Sequence, residues 1–425
     1  MKTSFQIVSS ILILLFIFFC VNAHSQTDSK DFTDVIKQWK KDTTLKTSAN
    51  LQVGKTYLSL LPVIGYAPAN GFLIGGVISI SRLIASPPTN LSSAMANFSV
   101  TSKNQFILNA RSKIYLANNK WFLQGDWRML IFTQPTYGLG VNNTGGNEYL
   151  LAVNNLPEND IPGAEPMKFN YLRIYEDVVR KIGKSNWYAG AGIAFDRHFK
   201  IVDEKLKTDA ASPDSNYITN HYLYSVSKEF DPKQYYTTGV NLNVLTDTRD
   251  NVANTYKGYF GSVTFRFNPE FSKSAQESIM ILYDLRYYLG LSKARPRKVL
   301  ALWSYGTFIL DGNVPYLALP SIGWDTYNRG GRGYIQGRYR GLSMIYSEAE
   351  YRFPISNSGL WGGVLFLNNT LAQAAGEGLF DHAAPGMGAG IRLKMDKAAR
   401  INLTVDLGYG LDHSSGIYFS MQEAF

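Results

Sequence analysis

Cysteine, histidine and long apolar runs are all scarce in this sequence. Its only cysteine is Cys20, so the rest of the chain cannot form disulfides, bind metal through thiolates or use a thiol as a nucleophile. After Ala23 no stretch is apolar enough for a membrane-spanning helix, which needs roughly 20 residues. The formal net charge of +9 is spread along the chain without a basic cluster, so nucleic-acid binding has no support.

Catalytic and cofactor-binding patterns are also missing. His413 follows Asp412 and precedes two serines, but no second histidine–acid pair stands at a fixed spacing, and a polar turn is the simpler interpretation. The glycines of 386–390 open a strand and so lack the helix N-terminus that a phosphate site needs. No metal-ligand spacing occurs. We expect no enzyme and no cofactor; a hydrolase that uses His413 or His382 is the alternative.

The first 23 residues have the layout of a secretory signal peptide. A positive charge precedes an apolar run over 7–21, and Ala23 ends a suitable cleavage site. Cys20 would permit lipidation, but the bulky Phe19 precedes it where a lipoprotein signal has a small residue. We therefore expect export, with residues 1–23 removed and a mature chain without cysteine.

A polar leader, 24–50, separates the signal peptide from the main domain, 51–425. Within it, apolar residues recur at helical spacing and predict a short amphipathic helix over 31–46. The positions concerned are Phe32, Val35, Ile36 and Trp39. Three settings remain open for this helix: the inner leaflet of a membrane, the mouth of a barrel, or a flexible leader.

Alternation of apolar and polar residues dominates the remainder of the chain. In 343–353, one face carries Ile345, Ala349, Tyr351 and Phe353, and the other carries Tyr346, Glu348, Glu350 and Arg352. A period of two is the mark of a strand whose faces meet different surroundings. In an exported chain rich in aromatic residues and glycine, it favours a transmembrane β-barrel, with a secreted sandwich or propeller as the competitor.

Sixteen such segments follow one another, an even number as in bacterial outer-membrane barrels. The predicted strands are 56–67, 71–82, 92–102, 105–115, 120–133, 167–182, 185–199, 235–248, 257–268, 276–291, 297–310, 343–354, 359–371, 386–396, 399–410 and 415–425. One more segment, 217–229, also looks like a strand and is interpreted as part of a long loop hairpin.

Loop lengths support the barrel over the sandwich. The long connections all follow odd-numbered strands, so they lie at the same end of the barrel. This matches barrels with long external loops and short periplasmic turns. The predicted external loops are 134–166, 200–234, 269–275, 311–342 and 372–385. The predicted fold class is therefore all-β: a transmembrane antiparallel β-barrel of about 16 strands, with a short N-terminal helix.

A loop motif and two strand segments resemble the BamA/TamA-type family of outer-membrane assembly and translocation barrels, the bacterial surface antigen barrels. Gly331-Arg332-Gly333-Tyr334 is similar to the family's (V/L)-R-G-(F/Y) loop motif, although Gly331 replaces the aliphatic residue. Glu350-Tyr-Arg352-Phe-Pro and Phe-Leu-Asn368 are similar to the segments that hold the loop arginine, with Asn368 in place of an aspartate. The resemblance implies a loop folded into the lumen, with Arg332 held by Glu350.

Two further patches extend the resemblance over roughly the last half of the chain. Asp247-Thr-Arg249-Asp250-Asn251 followed by Gly258 is similar to the family's D-x-R-D-N…P…G periplasmic turn, without the proline. The end of the chain, with Tyr418, Phe419 and Phe425, resembles the terminal strand signal by which barrel proteins are recognised for insertion.

The resemblance implies a function at the outer membrane of a Gram-negative bacterium. That function is insertion of barrel proteins, or passage of a polypeptide or lipid across the membrane, with membrane lipids and client proteins as partners. Family members usually carry POTRA domains, for which this sequence has no room. We therefore expect a POTRA-less member, in which either a separate periplasmic partner collects clients or the barrel has lost this role. A passive channel or structural barrel is the alternative, since sixteen strands can enclose an aqueous lumen.

Overall fold

The structure is a computed structural model in which sixteen antiparallel strands form one sheet in sequential order. The described residues are 30–40, 52–67, 69–86, 88–142, 154, 163–209, 216–252, 254–271, 275–397 and 400–425. The predicted signal peptide lies outside them. Among the described residues, no helix combines the length and the apolar character needed to cross a membrane.

The strands confirm the predicted order and number. They are β1 (Thr56–Ala67), β2 (Gly71–Arg82), β3 (Ser92–Thr101), β4 (Phe106–Tyr115), β5 (Trp121–Thr136), β6 (Glu165–Lys181), β7 (Trp187–Asp203), β8 (Tyr235–Asp247), β9 (Gly258–Asn268), β10 (Ser278–Gly290), β11 (Val299–Gly312), β12 (Ser343–Pro354), β13 (Trp361–Ala372), β14 (Ala384–Asp396), β15 (Ile401–Tyr409) and β16 (Ser415–Ser420). The helices are α1 (Phe32–Lys40) and α2 (Asn220–Ser227).

Alternation sorts the side chains onto two faces of the barrel wall. On β8, Val240 and Leu242 point outward and are half exposed, whereas Asn241 and Asn243 point inward and are buried. The outward face is apolar because a charged group there would cost about 2–4 kcal/mol at the bilayer midplane. Trp121, Trp187 and Trp361, at the periplasmic starts of three strands, lie partly exposed where an aromatic girdle is expected.

The first and last strands form a seam. Their Cα atoms approach within 8 Å, which brings the sheet back onto itself, but no hydrogen-bonded ladder joins β1 to β16 in the described part of the chain. β1 has 12 residues and β16 has 6, so the two edges also differ in length.

The prediction of a strand over 415–425 is wrong for its second half. The ladder between β15 and β16 ends at the pair Thr404 and Ser420, and the following residues turn into the lumen. Phe425, predicted to end the last strand, is buried there with 6 % of its surface exposed. We call residues 421–425 the tail.

The prediction for 217–229 is also wrong, because part of this segment is helical. Thr219 is extended and its hydroxyl accepts a hydrogen bond from the backbone of Tyr222, which caps the first turn of α2. The sequence of α2 alternates in hydrophobicity over a few residues, and the local cap decides the conformation.

The predicted N-terminal helix is present as α1, and residues 41–46 of the prediction lie outside the described part. Asp31 and Asp34 each accept the other's backbone N–H at 3.0 Å, a reciprocal cap at the helix start. Both aspartates also bind Lys397, through its backbone N–H and its ammonium, at 2.9 Å. The helix is therefore fastened to the turn between β14 and β15.

Candidate functional site: an arginine loop in the lumen

The loop between β11 and β12, residues 313–342, folds into the lumen as predicted. Gly331 and Gly333 flank Arg332 and have φ of +85° and +110°, in the region that favours glycine. A Cβ on Gly333 would lie 2.7 Å from the carbonyl oxygen of Tyr409. Gly331 and Gly333 thus give the chain the sharp bend that aims Arg332 at the wall.

Arg332 is held by three carboxylates on two separated parts of the wall. Its Nη2 contacts Glu348, at 2.5 Å, and Glu350, and its Nη1 contacts Asp406 at 2.6 Å. The guanidinium also lies over the ring of Phe366, with 3.7 Å between its carbon and the ring centroid. Burial alone would lower the pKa of Arg332, but the three acids outweigh it and raise the pKa well above the usual value.

The structure brings both predicted partners, Glu350 and Asn368, into contact with Arg332. Glu350 binds it as expected, and Glu350 also binds Arg352 at 2.6 Å. Asn368 does not reach the guanidinium: its amide donates to the carbonyl oxygen of Arg332 at 2.9 Å. Asp406 on β15 supplies the carboxylate that an aspartate at 368 would have given, and the sequence interpretation missed it.

The acids and arginines form one buried network around the loop. Asp406 also binds Arg392 at 2.5 Å, and Arg392 binds Glu423 of the tail at 2.7 Å. Because Glu350 ties Arg352 into the same cluster, every arginine of the network has a carboxylate partner. Such a network is costly to break, since removing one member leaves a buried charge unpaired.

Glycines on β14 and β15 make room for the loop. A Cβ on Gly408 would lie 2.5 Å from the backbone nitrogen of Gly333, and one on Gly386 would lie 3.2 Å from the carbonyl oxygen of Arg332. The glycine cluster 386–390 is therefore a contact surface for the arginine motif.

Tyr334 and Tyr418 clamp the motif from the side of the last strands. The hydroxyl of Tyr418 accepts the N–H of Gly333 and donates to the carbonyl oxygen of Tyr334, both at 3.0 Å. Tyr334 is buried and donates to the carbonyl oxygen of Pro385. Of the predicted terminal signal residues, Tyr418 faces the loop, Phe419 faces outward, and Phe425 lies in the lumen.

The tail is packed beneath the loop. Phe425 lies against Trp303 and Tyr288, with centroids 5.1 and 6.1 Å away, and its carbonyl oxygen accepts from Arg352 at 3.0 Å. Burial opposes ionisation of Glu423, but the charges of Arg392 and Arg352 and the hydrogen bond from Asn402 hold its pKa at about 2. The tail thus carries a firmly ionised carboxylate into the network.

The external side of the lumen is capped by aromatic and aliphatic side chains. The loop's Tyr316 donates to or accepts from Thr136 at 2.7 Å, and Tyr224 of α2 donates to the carbonyl oxygen of Val314 at 2.9 Å. His198 and His221 pack in this cap against tyrosine rings. Together the loop, α2 and the neighbouring strand ends form a buried cluster, which we call the external cap.

The predicted periplasmic turn motif lies between β8 and β9 and reaches across the barrel mouth. Arg249 binds Asp247 at 2.6 Å, Asn251 accepts the N–H of Asn254 at 2.9 Å, and Gly258 has a φ of +110°. Asp250 binds Arg400 of the turn between β14 and β15 at 2.8 Å. Since these turns belong to distant strands, the ion pair spans the periplasmic mouth, and we call 248–257 the strap.

Comparison with known proteins decides the family. A model of the Omp85 superfamily domain matches residues 183–425, more than half of the chain. The chain belongs to the Omp85 superfamily. Barrels of this superfamily are outer-membrane proteins of Gram-negative bacteria that insert or translocate proteins, and its members act on client proteins together with partner proteins.

Solved structures of Omp85 barrels share this fold at low sequence identity. BamA from Haemophilus ducreyi lacking POTRA domains 1–3 has 10 % identity and a TM-score of 0.54, over 86 % of this chain and 70 % of that one. CdiB from Acinetobacter baumannii has 15 % identity and a TM-score of 0.52, over 86 % and 59 %, respectively. CdiB from Escherichia coli has 9 % identity and a TM-score of 0.52, over 87 % of this chain and 67 % of that one. No curated protein matches the sequence.

Among the described residues, no group of three or more histidine, cysteine, aspartate or glutamate side chains is arranged to hold a metal ion. His382 pairs loosely with Glu377, at 3.9 Å, and His413 lies in the turn between β15 and β16 with a φ of +58°. In the part of the chain that the structure describes, neither histidine is hydrogen-bonded to a serine or threonine hydroxyl.

Proposed function

We propose that this Omp85 barrel promotes the insertion of outer-membrane proteins at the seam between β1 and β16. The observation that carries the proposal is the seam itself, where two strand edges meet without a ladder in the described part of the chain. An unpaired strand edge is a template for another chain, and here it faces lipid rather than water.

The tail enlarges that template. Because the β15–β16 ladder ends at Thr404 and Ser420, residues 401–403 of β15 have no partner on β16. The longer β1 likewise extends past the six residues of β16. A client strand arriving from the periplasm would therefore meet free backbone groups at the periplasmic end of the seam.

The contents of the lumen favour the seam over a route through the barrel. The loop fills the centre, the external cap closes the outer side with buried apolar side chains, and the strap crosses the periplasmic mouth. Passage of a polypeptide or steady ion flow would require most of these contacts to break. This counts against the passive channel and against translocation through the lumen.

We further propose that the role is not enzymatic and that the partners are client barrel proteins, outer-membrane lipids and a periplasmic protein that delivers clients. The buried carboxylates of the site are committed to arginines, which suits an anchor better than proton transfer. Strand pairing and burial of the client's apolar face in lipid would supply the driving force.

The test is a folding assay with the purified protein in liposomes. A small urea-denatured outer-membrane barrel is added, and its folded fraction is followed over time by its heat-modifiable gel mobility. We expect folding at least several-fold faster than in liposomes that contain an unrelated sixteen-stranded porin. Equal rates, together with steady conductance of the protein in planar bilayers, would overturn the proposal and support the channel.

A further inference from the structure

A second lumenal feature lies apart from the Arg332 network. It is a cavity of about 290 Å³ between the strands β4 to β11 and the tip of the loop. Its volume is at the lower end of the range for small-molecule sites. Four cationic side chains line one part of it, around the ring of Tyr327 from the loop. They are Arg111, Lys113, Arg249 and Arg286.

Two of these cations are already neutralised. Arg249 binds Asp247 and Arg286 binds Asp284, each at 2.6 Å, and the indole of Trp303 donates to Asp284 as well. These two pairs hold the wall in place, since both guanidinium groups also stack over the ring of Phe260.

The other two cations lack a partner of their own. Arg111 is 3.8 Å from Asp126, but Asp126 is engaged by Arg128 at 2.9 Å and approached by Arg173 at 3.5 Å. The Nε of Arg111 is buried and has no hydrogen-bond partner. Within the described ranges, no carboxylate lies within 4.0 Å of the Lys113 ammonium.

The remaining acids of the cavity are also occupied. Asp325 accepts backbone N–H groups of the loop, including those of Tyr327 at 2.9 Å and Arg329 at 2.8 Å. Asp177 accepts two asparagine amides, and Asp196 accepts two tyrosine hydroxyls and Arg173. None of these acids hydrogen-bonds Arg111 Nε or the Lys113 ammonium, so both cationic groups remain open to a ligand in the cavity.

The ring of Tyr327 lies among these cationic side chains. Its ring lies 4.9 Å from the guanidinium carbon of Arg111 and 5.3 Å from that of Arg286. Lys113 acts most strongly on the phenol; burial opposes ionisation, but Arg286, Arg249 and Arg111 add to the effect of Lys113 and lower the pKa of Tyr327 to about 7. A setting that favours a phenolate favours any oxyanion of suitable size.

We propose that this cavity binds a phosphate group, held by Lys113 and Arg111 next to the loop tip. Phosphate suits the site because it presents several acceptor oxygens and more than one negative charge to a guanidinium fork and an ammonium that approach from the same strand. The group could belong to free phosphate or to a phospholipid headgroup. Because Tyr327 belongs to the loop, a bound anion would lie against the loop tip and could change where the tip sits in the lumen.

The test uses Tyr327 as the probe in the detergent-purified full-length protein. Its ionisation is followed by phenolate absorbance against pH, in phosphate and in chloride at the same ionic strength. Tyr327→Phe should remove one transition near neutral pH. Phosphate should raise the pKa of Tyr327 saturably, by roughly one unit, because a bound anion cancels the potential that stabilises the phenolate.

Calorimetry of phosphate binding distinguishes binding at this site from general ionic screening of Tyr327. Lys113→Gln should weaken phosphate binding at least about tenfold, since hydrogen bonds to charged groups contribute about 1.5–3 kcal/mol. Lys120→Gln, an exposed lysine at the end of the same hairpin, should leave binding unchanged. Short-chain phosphatidylglycerol in place of phosphate distinguishes the sources: tighter binding identifies a headgroup, and absence of binding identifies the free ion. Equal affinity of both lysine variants and the wild type, or no phosphate-dependent shift of Tyr327, would overturn the proposal.

Discussion

Two arginines of the same loop are anchored in opposite ways. Arg332 binds three carboxylates on hydrogen-bonded wall strands. Among the described residues, the side chain of Arg329 instead donates to the carbonyl oxygens of Gln422 and Glu423 in the tail. Burial and the nearby Arg111 lower the pKa of Arg329 to about 10, while the acids raise that of Arg332. The strands of the wall are hydrogen-bonded into the sheet, whereas the tail lies beyond the last ladder pair, Thr404 and Ser420.

This difference indicates that the Arg332 network and the tail have separate roles near the seam. The Arg332 network fixes the loop and keeps the barrel filled, so we expect it to support the fold. The contacts of the tail are the ones that strand pairing could replace, because 401–403 of β15 are free to accept a strand. We therefore expect mutations at the first anchor to affect stability and mutations at the second to affect the seam.

The largest effect is expected for Arg332→Ala. It leaves three buried acids without their shared cation, which should lower the free energy of unfolding by about 3–5 kcal/mol. The measurement is urea unfolding of the detergent-purified barrel. Arg338→Ala is the matched control, because this arginine of the same loop pairs with a largely exposed Asp412 at 3.7 Å and should contribute at most about 1 kcal/mol. Similar losses for the two variants would contradict the role of Arg332 as the fixed anchor.

The acids that bind Arg332 should differ among themselves. Glu350→Ala removes a partner from both Arg332 and Arg352, whereas Glu348→Ala leaves Arg352 paired. We expect Glu350→Ala to be the more damaging in the same unfolding measurement, by about 1.5–3 kcal/mol for a charged hydrogen bond lost. Indistinguishable variants would show that Glu350 is not a junction of the network.

Glu423→Gln should loosen the tail without unfolding the barrel. Alkylation of a cysteine at the buried Ala424 reports the exposure, and the rate should rise at least about tenfold as the charged contact with Arg392 is lost. Gln422→Ala is the control, because only its backbone carbonyl is used. An unchanged rate in Glu423→Gln would mean that packing of Phe425 alone holds the tail.

The same probe predicts a pH dependence. The pKa of Glu423 is about 2 in the folded barrel and about 4.3 in an unfolded chain, so its contribution is fully present above pH of about 4.3. It is lost as the pH falls towards 2, when the folded-state carboxylate takes up a proton. The alkylation rate, divided by that of a fully exposed cysteine at the same pH to remove the ionisation of the thiol itself, should therefore be flat through neutral pH. Release of the tail between pH 6 and 8, where no cited group of the tail titrates, would contradict this assignment.

The smallest effect is expected for the strap. Asp250 and Arg400 are partly exposed, so Asp250→Asn should lower the free energy of unfolding by no more than about 1 kcal/mol. The effect should shrink further in high salt, because exposed ion pairs are screened. A salt-independent loss of several kcal/mol would place the strap with the Arg332 network rather than with the surface.

Much of the fold could be predicted because barrel strands are coded locally. Each residue of a strand such as β8 faces either lipid or lumen. The polarity of Val240, Asn241 and Leu242 therefore predicts the face of each side chain without knowledge of the partner strand. The loop motif was predicted by resemblance. The acids on β12 that bind the loop arginine could be predicted from the same alternation, which placed Glu348 and Glu350 on the lumenal face.

The features that were missed depend on contacts distant in sequence. Asp406 lies on a strand far from Arg332 in the chain, and nothing local distinguishes it from any other lumenal polar residue. The tail continues the alternation of Ile417 and Phe419, so its inward turn follows only from Arg392 and the aromatic pocket around Phe425. The helix α2 depends on a single capping hydroxyl at Thr219.

The most direct measurement concerns the seam. Cys20 is the only cysteine of the chain and lies in the predicted signal peptide, so single cysteines can be placed in the barrel without background. Leu60 on β1 and Leu242 on β8 are both outward and more than half exposed, which makes them a matched pair. A client barrel with a cysteine in its terminal strand should form a disulfide with Leu60→Cys during folding and not with Leu242→Cys. Equal cross-linking at both positions, or none at Leu60→Cys while folding is accelerated, would contradict the seam as the working surface.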